Sequence, residues 1–168
     1  MPTELKGASA LRKALKQFSP DLDKETRDEM VGFLKPLVKK ARGFMPSNSL
    51  LPSGWVGTSE PGRFPKYDAS IARRGVGYKL TPTKPNRQGW IQTVSIHNKT
   101  AGGVIYEWAG RKSSSKFVSN LPGAMTGSGK MQGRAMFKAY KEDEGKAKVG
   151  VIRALEKAAA KFNAKGNI

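Results

Sequence analysis

Residues 76–108 read VGYKLTPTKPNRQGWIQTVSIHNKTAGGVIYEW, and whether this stretch is sheet or helix decides the fold. Val76, Tyr78 and Leu80 alternate with their neighbours, as the residues of a half-buried strand do. Thr81–Gly89 contains Pro82, Pro85, Asn86 and Gly89, the composition of a turn. Trp90, Gln92, Val94 and Ile96 then alternate with Ile91, Thr93, Ser95 and His97, which predicts a second strand. Asn98–Gly103 reads as another turn and Val104–Trp108 as a third strand. Because the connections are short, a three-stranded antiparallel sheet is the economical arrangement.

Helices flank this stretch. Leu11, Leu15 and Phe18 recur at helical spacing within Leu5–Phe18. Ser19 can cap a second helix, about Pro20–Arg42, with Pro20 in its first position and Asp21 and Asp23 in its first turn. Its apolar stripe is Met30, Phe33, Leu34, Leu37, Val38 and Ala41, a packing face, and Pro36 should kink it. Met136, Phe137 and Tyr140 begin a short helical turn, and Val151 or Ile152, Leu155, Ala158 or Ala159 and Phe162 mark a C-terminal helix over about Glu144–Phe162. The expected fold class is therefore α+β, one domain over residues 1–168, with N-terminal helices and a C-terminal helix packed on a small antiparallel sheet. Residues 43–74 and 111–133 lack periodicity and are too long for ordinary loops, so they are expected to be extended loops or arms.

Composition explains why arms are expected. Leu, Ile, Val and Phe make up 33 of 168 residues, about 20%, while the net charge is +18. That balance sits where apolar burial barely offsets chain entropy and charge repulsion. A small core fits this chain, and arms that order on a partner would complete it. Phe44, Trp55, Phe64 and Tyr67 are scattered through the first arm and are candidate subunit-interface residues. Glu107, the one acid between Asp68 and Glu142, joins them with Tyr106, Trp108 and Gly110.

The charge is concentrated in the middle. Residues 61–141 carry 15 basic side chains against Asp68 and Glu107 alone. Arg73, Arg74, Lys79, Lys84, Arg87, Lys99, Arg111, Lys112, Lys116, Lys130 and Arg134 lie near predicted turns. Two partners fit them equally: the phosphates of nucleic acid in a channel, or acidic neighbouring subunits. No helix-turn-helix, zinc-finger or aromatic ribonucleoprotein pattern is present, so sequence-specific base reading is not expected.

Other chemistries find no residues. Cysteine is absent and His97 is the single histidine, which excludes thiolate or multi-histidine metal sites and cysteine nucleophiles. Gly123–Met131 resembles a phosphate loop only superficially, because Ala124 and Met131 stand where glycine and Ser or Thr are required. It reads as a flexible loop. His97 has no catalytic neighbours in sequence, and the expectation is a non-enzymatic protein without cofactors. No apolar run is long enough to span a bilayer and the first residues lack a signal peptide's apolar stretch, so a cytoplasm-like compartment is expected.

The order of these segments resembles the tail-completion and head–tail joining proteins of tailed bacteriophages, the minor tail protein Z-like group. Leu5-Lys6-Gly7, Leu11 and Leu15, and the helix closing on Val38-Lys39-Lys40-Ala41-Arg42, match the group's opening. Pro46…Pro52-Ser53-Gly54-Trp55 stands at its Pro…Thr-Gly segment, with serine for threonine. Tyr106-Glu107-Trp108-Ala109-Gly110 fits its Tyr…Glu…Gly strand end, and Arg134–Tyr140 its aromatic approach to the last helix. Gly57–Leu80 is an insertion relative to the compact form. The resemblance implies a structural virion protein, a homo-oligomeric ring in the neck that joins the DNA-filled head to the tail. Six copies are the first expectation and twelve the second. Its neighbours would be head-closure and tail-terminator or tail-tube proteins, with genomic DNA in the channel and no membrane. The alternative from the residues alone is a non-specific basic nucleic-acid-binding protein, a nucleoid-associated or packaging factor.

Overall fold

The structure is a computed structural model that describes residues 7–89, 91–112, 114–129 and 131–166. The fold is α+β. Among the described residues the α-helices are α1 (Ala8–Phe18), α2 (Pro20–Gly43), α3 (Ala69–Gly75), α4 (Ala101–Trp108), α5 (Lys116–Ser119), α6 (Met136–Glu142) and α7 (Lys146–Gly166). The strands β1 (Val76–Lys79) and β2 (Ser95–Asn98) pair with each other, and β3 (Thr126–Ser128) pairs with β4 (Met131–Gly133). Two antiparallel ribbons thus replace the single three-stranded sheet that the alternation predicts.

Contacts divide the chain into two compact units. The first comprises residues 1–36, 79–95 and 145–168, and the second residues 37–78 and 96–144. The boundary inside α2 falls at Pro36, where the missing N–H removes one rung of the helix ladder.

In the first unit Leu15 of α1, Leu22 of α2 and Ala158 of α7 form a buried cluster, with Leu11 and Phe162 packed against it. All but Leu22 are among the residues picked out by the helical periodicity, so most of this core was legible. Its rim is ionic: Lys157 meets Glu29 at 3.1 Å and Glu25 at 3.8 Å, and Lys161 bonds Glu25. The hydrogen bond from Lys161 holds the Glu25 carboxyl below its ordinary pKa. Phe33 of α2 lies directly over Gly150 of α7, so the glycine that weakened the predicted helix leaves room for a ring. The helix starts at Lys146 rather than Glu144 because Glu144 (φ 53°) and Gly145 (φ 80°) make a left-handed turn before it. The first helix starts at Ala8, with Gly7 at φ 82° before it. Leu5 and Lys6 lie outside the described residues.

The second unit overturns the third strand. Val104–Trp108 is helical, part of α4. Asn98 Oδ1 accepts from the Thr100 N–H (2.9 Å) and hydroxyl (2.7 Å), and Thr100 Oγ1 accepts from the Gly103 N–H (3.2 Å). That relay caps the helix start. The buried positions of α4 are Gly102, Gly103, Tyr106 and Glu107, which is helical spacing. A Cβ on Gly102 would stand 2.7 Å from the Lys66 carbonyl oxygen, so glycine is what lets α4 close on the preceding chain. The second predicted strand is also shorter: residues 91–94 are irregular, β2 spans Ser95–Asn98, and Trp90 lies outside the described residues.

The two predicted arms are not extended segments. Residues 43–74 carry 3-10 turns at Asn48–Leu50 and Ser53–Trp55, a bridge between Val56 and Tyr67, and α3. Asp68 caps α3 by accepting from the Ile71 N–H at 2.8 Å. Met45, Leu51, Trp55 and Tyr67 are buried. Residues 111–133 hold α5, the buried Leu121 and the β3–β4 hairpin, so the predicted flexible glycine loop is a paired ribbon. Trp55 and Tyr67 are buried within their own chain, each with a main-chain partner for its polar end, while Leu50, Phe64, Ile71 and Met131 stay exposed.

Candidate functional site

The expected interface residues separate into an inside and an outside set. Trp55, Tyr67, Tyr106 and Glu107 are all buried. Trp55 donates from Nε1 to the Pro65 carbonyl at 2.8 Å, Tyr67 from its hydroxyl to Pro46 at 3.1 Å, and Tyr106 to Pro122 at 3.0 Å. Ring centroids run from Tyr106 to Tyr67 (6.2 Å), to Trp55 (5.2 Å), to Phe117 (5.0 Å) and to Phe64 (6.2 Å). This chain of rings is the aromatic core of the second unit. Its interface role is therefore corrected for these four residues: their surfaces are already covered. Phe64 and Trp108 are more than half exposed, and Phe44 is half-buried under the Lys138 ammonium, 4.4 Å from the ring centroid. Gly110 takes φ 93° where the chain leaves α4.

Glu107 and Arg134 link two distant motifs. The Glu107 carboxylate accepts from the N–H groups of Ala135 (2.7 Å), Met136 (3.0 Å) and Phe137 (3.0 Å). These are the first N–H groups of α6, which has no side-chain cap of its own. The carboxylate thus satisfies the orphan donors and complements the helix dipole. A Cβ on Gly133 would run into the Glu107 carboxylate, so the approach requires glycine there. Arg134 returns the arrangement. Its guanidinium donates to the carbonyls of Tyr106 (3.1 Å), Ala109 and, through Nε, Gly123 (3.1 Å), closing the C-terminus of α4. Burial pulls Arg134 below the ordinary guanidinium pKa, against the opposing pull of Tyr106 and Glu107. Glu107, expected at a subunit interface, serves here as an intramolecular cap.

The cations divide in the same way. Arg73 donates to the Met45 carbonyl (3.3 and 3.1 Å), and Arg111 to that of Gln132 while stacking over Trp108 (4.8 Å) and Phe137 (5.1 Å). With Arg134, these arginines donate to main-chain carbonyls, Arg134 buried, Arg111 half-buried and Arg73 still exposed. Arg42, which the sequence reading passed over, donates twice to the Val76 carbonyl (3.0 and 2.7 Å). Its signal was its place in the last turn of α2. Asn98 was also missed: buried, it donates to the Ala72 carbonyl at 3.1 Å besides holding Thr100. Arg74, Lys79, Lys84, Arg87, Lys99, Lys112 and Lys116 present exposed side chains, and Lys130 lies outside the described residues.

Among the described residues, no three of His, Asp and Glu stand close enough to hold a metal, and no helix is long and apolar enough to cross a membrane. His97 lies in β2 with Nε2 3.5 Å from where a Cβ on Gly77 would be. No protein-family model, curated protein or solved structure matches the chain.

Burial raises the pKa of both Tyr67 and Tyr106. The folded state therefore prefers the neutral phenols. Their contribution to stability is fully present below the unfolded tyrosine pKa of about 10 and is lost as pH rises through the folded values. Alkaline titration followed by phenolate absorbance should show these two hydroxyls ionising only with unfolding. Their ionisation before any loss of circular dichroism would contradict the burial.

Proposed function

We propose that this chain is a structural, non-enzymatic protein of a tailed-bacteriophage virion, one copy of a neck ring that joins the DNA-filled head to the tail. The observation that carries the reading is the coupling of two motifs on which the resemblance rests. Glu107 of Tyr106–Gly110 caps the helix that begins in Arg134–Tyr140, and Arg134 caps the helix that bears Glu107. Two segments that match separately in sequence thus meet in the fold, which supports the reading, although Tyr106–Gly110 closes the helix α4 here where the group has a strand end.

In this reading the ring has six copies, or twelve, and meets head-closure proteins on one side and tail-terminator or tail-tube proteins on the other. The surface offered to neighbouring copies is Phe64 and Trp108 rather than the covered Trp55 and Tyr67. The exposed lysines and arginines favour a second reading, a non-specific nucleic-acid-binding or packaging protein.

Electron microscopy of lysates from the parent phage with this gene silenced tests the first reading. Full heads beside separate finished tails are expected. Normal infectious particles would overturn the neck role and leave the second reading in place.

A further inference from the structure

Lys79 ends β1, Lys84 and Arg87 lie on the segment that joins it to β2, and all three are exposed. The segment is built rather than loose. Arg12 of α1 donates to the Leu80 carbonyl at its base. Higher up, the Thr83 N–H donates to the Gln92 carbonyl at 3.0 Å and the Gln92 N–H to Thr83 Oγ1 at 3.0 Å. At the tip, Asn86 accepts the Gly89 N–H on its carbonyl (2.9 Å) and the Gln88 N–H on its side chain (3.0 Å). Gly89, at φ 81°, completes that turn. No acid occurs in the sequence between Asp68 and Glu107 to neutralise it.

We infer that the Lys79–Gly89 segment is a contact surface for the phosphate backbone of double-stranded DNA, held without regard to base sequence. The chemistry of its surface separates this partner from an acidic protein. A protein interface needs an apolar core to exclude water. The exposed side chains of this segment are Lys79, Thr81, Thr83, Lys84, Asn86, Arg87 and Gln88, with Pro85 the apolar one. Cations flanked by hydroxyl and amide groups are the donors that phosphate oxygens take. The inference concerns the purified chain and stands whether or not the chain belongs to a neck.

The test is fluorescence anisotropy of a labelled duplex of about 30 base pairs with the full chain, over a range of salt. Two variants are compared, K79A/K84A/R87A and the charge-matched K13A/K39A/R153A, whose three positions are exposed and lie elsewhere. Both must keep the wild-type circular dichroism and urea midpoint; if the loop variant loses them, K79Q/K84Q/R87Q takes its place. Removing three phosphate contacts should flatten the slope of log affinity against log salt by about 2.7 and weaken binding roughly tenfold or more at low salt. The charge-matched variant should keep a slope close to that of the wild type. Equal losses in both variants, or no salt-dependent binding by the wild-type chain, would overturn the inference. Displacement by poly-glutamate as effective as by unlabelled duplex would also overturn it, in favour of an acidic protein partner.

Discussion

Glu107→Ala is expected to lower the unfolding free energy by about 3–5 kcal/mol, enough to leave much of a marginal domain unfolded. The carboxylate is fully buried and holds three N–H groups at the start of α6. Alanine would strand those donors away from water and leave the buried Arg134 without its nearby negative charge. Glu107→Gln keeps an acceptor oxygen but loses the charge, and turns an amide NH2 toward other donors. About half the loss, roughly 2 kcal/mol, is expected there. Urea unfolding followed by circular dichroism measures both. A loss under about 1 kcal/mol for Glu107→Ala would mean that the cap is not what holds α4 and α6 together.

Trp55→Ala is expected to cost a similar amount, about 3–5 kcal/mol, through the lost ring and the cavity it leaves. Trp55 is 3% exposed and packs against Tyr67 and Phe117. The change also discriminates between two accounts of residues 43–74. As a core residue of its own chain, Trp55 should show the full loss at every protein concentration. As an anchor on a neighbouring copy it should leave the dilute monomer untouched and shift only the concentration dependence. Urea midpoints at two concentrations a hundredfold apart decide the matter, and an unchanged dilute midpoint would restore the arm.

The helices at the two ends were legible because their signals are local. The stripe through Met30, Phe33, Leu34, Leu37, Val38 and Ala41 repeats for several turns, and all of these side chains but Phe33 are buried. The short run Val104–Trp108 carries no such redundancy. Five residues fit a strand's period and a helix's equally well, and length alone could not arbitrate. What chose the helix was Thr100 at its cap and the glycines at 102 and 103, whose value depends on Asn98 and on the Lys66 carbonyl beyond them. For the candidate site, composition announced the surplus of cations but not their use. Arg73, Arg111 and Arg134 look in sequence like Lys84 or Arg87, yet each meets an orphan carbonyl of its own chain.

The sequence by itself determined the α+β class, the long second helix, the C-terminal helix, the absence of thiol chemistry and a net charge of +18. These follow from periodicity and counting, which need no knowledge of what lies across the fold. Only the tertiary structure decided that Val104–Trp108 is helical, that Trp55 and Tyr67 belong to a core, and that Glu107 faces a helix start rather than another subunit. The last two outcomes rest on backbone N–H or C=O groups some 10 to 30 residues away, as from Glu107 to the N–H of Met136, and the helix on a local cap and the Lys66 carbonyl beside Gly102; a buried polar group takes whichever partner the fold brings within reach.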